Sequence, residues 1–174
     1  MHGAVHDAAA TRRLALPLAT LLLTGCVHAR DDDALEPNDD FAEATRLSPG
    51  DAIEGRANQG NPDVFVVAAG PDQSLVFALA DLQYENCPAF RVHGPDGREL
   101  LGQDPSSNCS VPASETRQEP GVVLRELENG DREIEIPAAV EGDYFLTIIE
   151  GSEADNIAPF SWDYRVTAIL GPAP

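Results

Sequence analysis

Three cysteines, four histidines and thirty carboxylates are the side chains with reactive chemistry to offer in this chain of 174 residues. A thiol nucleophile needs a base beside it, and neither Cys87 nor Cys109 has an obvious one. His93 is the single histidine inside the patterned part of the chain, and no second residue marks it as catalytic. The sequence contains no Gly-x-Ser-x-Gly, no His-Glu-x-x-His, no phosphate-binding loop and no Cys-x-x-Cys. Two carboxylates on a β-sheet surface can serve a glycosidase, but thirty acids in one chain create such pairs by chance. Zinc is a poor fit to so few histidines.

Cys26 stands in a different context. Arg12 and Arg13 precede an apolar stretch of ten residues, Leu14 to Leu23, which ends in Leu23-Thr24-Gly25-Cys26. A bilayer span needs roughly 20 residues, so the stretch suits the apolar segment of a signal peptide instead. The Leu-Thr-Gly-Cys run resembles a bacterial lipoprotein lipobox, whose cysteine is acylated and becomes the first mature residue. Residues 1–25 are then a removed signal peptide, and residues 26–35 a lipidated Cys26 on an acidic tether in which Asp31 to Asp33 act as solvated spacer. A plain secretory peptide with a chance cysteine is the competing reading. The residues around Arg12-Arg13 match a twin-arginine signal poorly, so general export is preferred. Val27 is not the aspartate that marks inner-membrane retention in some bacteria, which favours an outer-membrane anchor. Exported compartments preserve disulfides, so Cys87 and Cys109 are expected to be bonded. The bridge would close a loop of about 20 residues and add about 3 kcal/mol on a chain-entropy argument.

Charge narrows the partners. The chain carries a net charge of −19, and every basic residue is arginine. Removal of residues 1–25 takes away Asp7, Arg12 and Arg13 and leaves 29 acids against 9 arginines, or −20. Such a surface repels phosphate backbones and anionic headgroups, which excludes nucleic acid and holds the domain clear of the bilayer. Acidity of this degree can mean disorder, but 43% apolar residues in regular short runs indicate a folded core. The length past the tether is that of one domain, residues 36–171, with 172–174 as a tail.

The elements that must position these residues are short. Phe41 to Leu47 has apolar residues at helix-like spacing, with acids in front to cap it and Pro49-Gly50 behind, and predicts one helical turn. After it come about nine strand candidates bounded by Gly, Pro, Asn and Asp. These are residues 53–56, 63–68, 75–82, 89–93, 98–101, 122–127, 133–136, 144–149 and 162–170. Gly94-Pro95-Asp96-Gly97 and Asn129-Gly130-Asp131 read as hairpin turns. Gln103 to Pro120 reads as polar and irregular. Even spacing, alternation and the lack of a long helix predict an all-β protein, an antiparallel β-sandwich of jelly-roll type.

Four stretches resemble the bacterial pre-peptidase C-terminal domain, a β-sandwich usually appended to secreted peptidases and collagenases. Glu36-Pro37-Asn38-Asp39-Asp40, with Ala42, Ala44 and Leu47 behind it, is similar to the family's opening segment. Gly55, then Asp63-Val64-Phe65-Val66-Val67 and Gly70, is similar to its second. Phe90 to Leu100 resembles its Asp-x-Gly hairpin. Gly142-Asp143-Tyr144-Phe145-Leu146 with Trp162-Asp163-Tyr164-Arg165-Val166 resembles its closing strands. The resemblance spans residues 36–170. It departs from the family in the long 103–120 stretch and in the lack of a preceding peptidase.

Several family members bind calcium through the opening segment and the aspartate of the second. The resemblance therefore implies a calcium site at Glu36, Asn38, Asp39 and Asp63, completed by backbone carbonyls between Asn58 and Pro62. Gly60 and Ala34 stand where the calcium-binding members carry further ligands. The same residues have structural readings: Asn38 or Asp39 as a helix cap, Asp63 as a turn residue. Tyr84, Tyr144, Trp162 and Tyr164 could build a sugar-stacking platform, but the last three alternate with apolar residues and read as core, leaving Tyr84 as the exposed candidate.

Together these features describe a non-catalytic envelope lipoprotein. Its sandwich is a binding or accessory module for a protein or polysaccharide, engaged through loops at one end. A structural or chaperone-like factor for a separately encoded exported enzyme is the alternative, and a hydrolase with paired carboxylates is a minor one. An exposed apolar strip rimmed with arginine and acid would favour a protein partner. Exposed aromatics would favour polysaccharide.

Overall fold

Leu75, Phe77 and Leu79 alternate with half-buried neighbours along Gln73–Ala80, the period of a strand that buries one face. The computed structural model describes residues 34–57, 61–80, 89–102, 116–119, 121–127, 129–149 and 162–174, with 116–119 and Trp162 described by backbone alone. These residues form eleven strands: β1 (Thr45–Arg46), β2 (Ala52–Ala57), β3 (Asp63–Ala69), β4 (Gln73–Ala80), β5 (Ala89–His93), β6 (Glu99–Gly102), β7 (Thr116–Glu119), β8 (Val122–Glu126), β9 (Arg132–Ala139), β10 (Gly142–Ile149) and β11 (Trp162–Pro172).

Two sheets result. One has five strands in the order β1-β3-β10-β5-β6, and the other has six in the order β2-β11-β4-β9-β8-β7. We call them the first and second sheets. Strand pairs are antiparallel except β1 with β3. The chain changes sheet between β1 and β2, β2 and β3, β3 and β4, β4 and β5, β6 and β7, β9 and β10, and β10 and β11. Sequence neighbours therefore face each other across the core, as in a jelly roll.

Phe65, Phe90, Leu146 and Ile148 of the first sheet meet Leu75, Phe77, Ile134 and Tyr164 of the second in a single cluster. Phe65 and Tyr164 touch edge to face across it, with ring centroids 6.1 Å apart. Tyr144 is also buried, and its hydroxyl accepts from the Val140 amide at 2.8 Å. Both tyrosines have the core role that their alternation predicts. At one end of the core Arg132 pairs with Glu126 at 3.0 Å and lies 5.4 Å from the Phe90 ring centroid.

All nine predicted strands are present, with ends moved by a few residues. The Gly94–Arg98 turn closes β5 and β6, with Gly97 at φ 75° and the Gly94 amide 2.9 Å from the Arg98 carbonyl. Gly130, at φ 90°, occupies the turn between β8 and β9, where the Leu127 amide bonds the Asp131 carbonyl at 2.8 Å.

Two expectations need correction. The helical turn over Phe41–Leu47 does not form: residues 41–43 make a turn, and Thr45–Arg46 run beside Phe65 and Val66 as a parallel strand. Leu47 decides this. Its side chain is sunk in the core at 2% exposure and its amide bonds the Val66 carbonyl at 2.8 Å. Reaching that position takes extended chain, which advances about 3.3 Å per residue against 1.5 Å in a helix. The 103–120 stretch, expected to be irregular, contains β7, which adds an edge to the second sheet by pairing with β8.

The outer face of the second sheet carries cross-strand ion pairs. Arg56 lies 2.7 Å from Asp163 and Arg165 lies 3.2 Å from Glu54. The Arg56 hydrogen bond holds the Asp163 carboxyl below its ordinary value of 3.8, against a small opposing effect of burial. A depressed carboxylate stabilises the fold above its unfolded value and loses that contribution as pH falls through the folded one. Both side chains are largely exposed, so the effect on stability is small. An NMR titration should place the Asp163 midpoint below 3.8, and Arg56→Gln should raise it.

Candidate functional site

Along β3, Val64, Phe65, Val66 and Val67 are all buried, including the pair that points away from the core. A strand buried on both faces needs a second cover. Residues 34–47 supply it, crossing the outer face of the first sheet as a strap. Backbone bonds fasten the strap at both ends: the Val64 amide to the Asn38 carbonyl at 2.8 Å, and the Leu47 amide to Val66. Between them Phe41 stacks on Phe145, with centroids 4.6 Å apart, and meets His93 edge-on at 5.0 Å. Asp40 Oδ1 accepts the amides of Ala42 at 2.8 Å and Glu43 at 3.0 Å, turning the strap so that Phe41 faces the sheet. The residue that caps this turn is therefore Asp40, neither Asn38 nor Asp39.

The predicted acidic residues meet where the strap begins. Glu36 Oε2 accepts the Asn38 amide at 3.2 Å, and Oε1 accepts from Asn61 Nδ2. The Asn38 side chain is wholly buried, and neither its Oδ1 nor its Nδ2 has a hydrogen-bond partner among the described residues. Asp63 is also fully buried. It opens β3 and accepts a hydrogen bond from the Tyr164 hydroxyl, tying the first sheet to the second. That is a cross-core bond, not the work of a turn residue. Gly55 lies directly opposite Tyr164 on β2, and a Cβ there would come within 2.5 Å of the tyrosine Cζ.

Asn38, Asp63 and Glu36 thus share one corner with Asn61, while Asp39 turns to the groove described next. Asn61 enters the expected site only through its backbone carbonyl and Tyr164 reads only as core, so the sequence marks neither side chain as a partner in this corner. Asn61 did carry a signal, since it precedes Pro62-Asp63 and is fixed at the mouth of β3. Among the described residues no three of His, Cys, Asp and Glu are gathered closely enough to hold a metal ion. The side-chain amide oxygens of Asn38 and Asn61 are buried in this corner without a hydrogen bond among the described residues.

Beside the strap lies an open groove of about 730 Å³. Val64 and Ile149 form its apolar floor, and Asp39, Asp40 and Phe41 its strap wall. Arg91 and His93 of β5 also line it, with His93 against the edge of Phe41. Arg91 and His93 each stand 3.9 Å from Glu99, and Asn61 closes one end. Phe41 keeps 44% of its surface exposed, whereas Asn61 keeps 3%. Nothing in the sequence marks the groove beyond the unbroken Val64–Val67 run. Cys26, Tyr84, Cys87, Cys109 and Gly60, like the side chain of Trp162, lie outside the described residues. Among the described residues no helix is long and apolar enough to cross a membrane.

No protein-family profile and no curated protein matches the chain. Among solved structures it is similar to the pre-peptidase C-terminal domain of a collagenase from Bacillus anthracis, at 16% identity and a TM-score of 0.43, covering 72% of this chain and 93% of that one. It is similar to PliG of Aeromonas hydrophila, a periplasmic inhibitor of g-type lysozyme, at 8% identity and a TM-score of 0.46, covering 74% and 96%. The CspB protease of Clostridium perfringens matches at 9% identity and 0.43, over 67% of this chain and 24% of that one. Identities and scores this low give no ground for carrying those proteins' roles to this chain.

Proposed function

We propose that this chain is an exported, lipid-anchored and non-catalytic binding module of pre-peptidase C-terminal type, whose partner is a protein seated in the groove beside the strap. The groove carries the reading. It combines an apolar floor, an exposed aromatic ring and charges of both signs at its rim, the composition of a protein-docking surface. Polysaccharide is disfavoured because Tyr144 and Tyr164 are core residues, and no exposed row of aromatics stands among the described residues. Catalysis is disfavoured because the sequence offers no nucleophile–base motif. The lipid on Cys26, the outer-membrane location and the Cys87–Cys109 bond belong to this proposal.

Photo-crosslinking in cells tests it. A photoreactive residue at position 42, on the groove, should give a protein adduct. The same residue at position 169, exposed on the opposite sheet, should not. Equal labelling from both positions, or none from 42, would overturn the reading.

A calcium ion at the start of the strap is the second part of the proposal, supported by the buried Asn38 side-chain amide, whose Oδ1 and Nδ2 have no hydrogen-bond partner among the described residues. Glu36, Asn38 and Asp63 offer hard oxygen donors of the kind that calcium takes, and Asp39, expected as a fourth, lies on the groove side of the strap. Bound there, it would fix the strap to β3 by charge. Calcium, but not magnesium, should then raise the thermal midpoint as its concentration passes the dissociation constant. Asp63→Ala and Asn38→Ala should each abolish the rise. No shift up to millimolar calcium would remove the site and leave the groove reading intact.

A further inference from the structure

We infer that the groove selects a basic side chain of its protein partner, an arginine above all, whose aliphatic stem lies on Phe41 while its guanidinium meets Asp39, Asp40 and Asn61. This rests on the groove being the docking site, and adds the chemistry of what it takes. The strap wall places two adjacent carboxylates beside an aromatic ring that is 44% exposed. An exposed ring face next to acid is a site for a cation with an apolar stem.

Asn61 supplies an independent observation. It lines the groove, is 97% buried, spends its Nδ2 on Glu36, and has an Oδ1 without a hydrogen-bond partner among the described residues. A buried acceptor left unpaired is costly, and a ligand rich in N–H donors would satisfy it. Arginine carries five such donors in a planar fork that also matches a carboxylate. Arg91 and His93 of β5 also line the groove, and Arg91 stands 3.9 Å from Glu99. The partner's base therefore lies toward Asp39 and Asp40. The net charge of −19 draws a basic partner in and repels an acidic one.

Short blocked peptides of the form X-Phe-X, with X as Arg, Lys, Gln or Glu, test this on the full chain in detergent. The readout is the backbone amide shifts of Val64, Thr147 and Ile149. The expected order of affinity is Arg, then Lys, then Gln, with Glu weakest, and the Arg peptide should weaken as salt is added. Asp39→Asn with Asp40→Asn should reduce Arg-peptide affinity about tenfold and leave the Gln peptide unchanged. The asparagine at 40 keeps a capping oxygen, so the turn survives. Equal binding of the Arg and Gln peptides would overturn the selectivity while sparing the groove as a docking site. Failure of every peptide to move the three amides would overturn both.

Discussion

Asp63→Ala should lower the stability of this domain by about 3 kcal/mol, on the order of 10 °C in the thermal midpoint. The carboxyl sits at 0% exposure at the start of β3 and receives the Tyr164 hydroxyl from the other sheet. Its removal leaves that hydroxyl buried without its acceptor and opens a cavity beside it. Tyr164→Phe keeps the ring and deletes only the donor, and should cost about 1.5–3 kcal/mol. Because the two share one bond, their costs should not add: a double-mutant cycle should give a coupling of about 1–2 kcal/mol. Additive costs would show that Asp63 acts independently of Tyr164. Denaturant unfolding of the four proteins settles the point.

Gly55→Val should be comparably severe, at about 3 kcal/mol. The position is extended β-strand, so the cost lies in space, not in backbone conformation. Tyr164 lies across Gly55, and even a methyl group there would stand 2.5 Å from Cζ and 3.0 Å from Cε2 of the ring. The ring cannot swing aside while Phe65 holds its edge and Asp63 holds its hydroxyl. Gly55→Val combined with Tyr164→Ala should therefore cost less than the two changes summed, since each removes part of the other's fault. A strictly additive pair would mean that the ring yields easily.

These two sites show which features can be read from the chain. Strands β2, β4 to β6 and β8 to β11 are legible because a strand with one buried face repeats every two residues, and Gly and Pro mark its ends, while β3 is legible as an unbroken apolar run. β1 is not, because two residues carry no period. What makes Thr45–Arg46 a strand is Leu47 reaching the core beside Val66, a contact made far along the chain. β7 is polar, Thr-Arg-Gln-Glu, and owes its place at the edge to its neighbour β8. At the site, the acidic opening segment stands out in the sequence, but its partners do not. Glu36 meets Asn61 25 positions later, and Asp63 meets Tyr164 101 positions later. Gly55 belongs to a recognisable motif, yet its reason, a ring lying over it, appears only once β2 and β11 are paired.

The strap also has a mechanical consequence. Any tension on the chain ahead of Ala34 enters the sandwich through it. Pulled along the direction of β3, the Asn38–Val64 bond, the β1 pairing, the Leu47–Val66 bond and the Leu47 anchor resist together, in shear. Pulled away from the sheet, they yield one after another, as a zip opens. Phe41 lies between the two fastenings, so peeling from the Asn38 end lifts it off Phe145 and widens the groove while Leu47 still holds. The shape of the groove is thereby tied to the direction in which the protein is tugged.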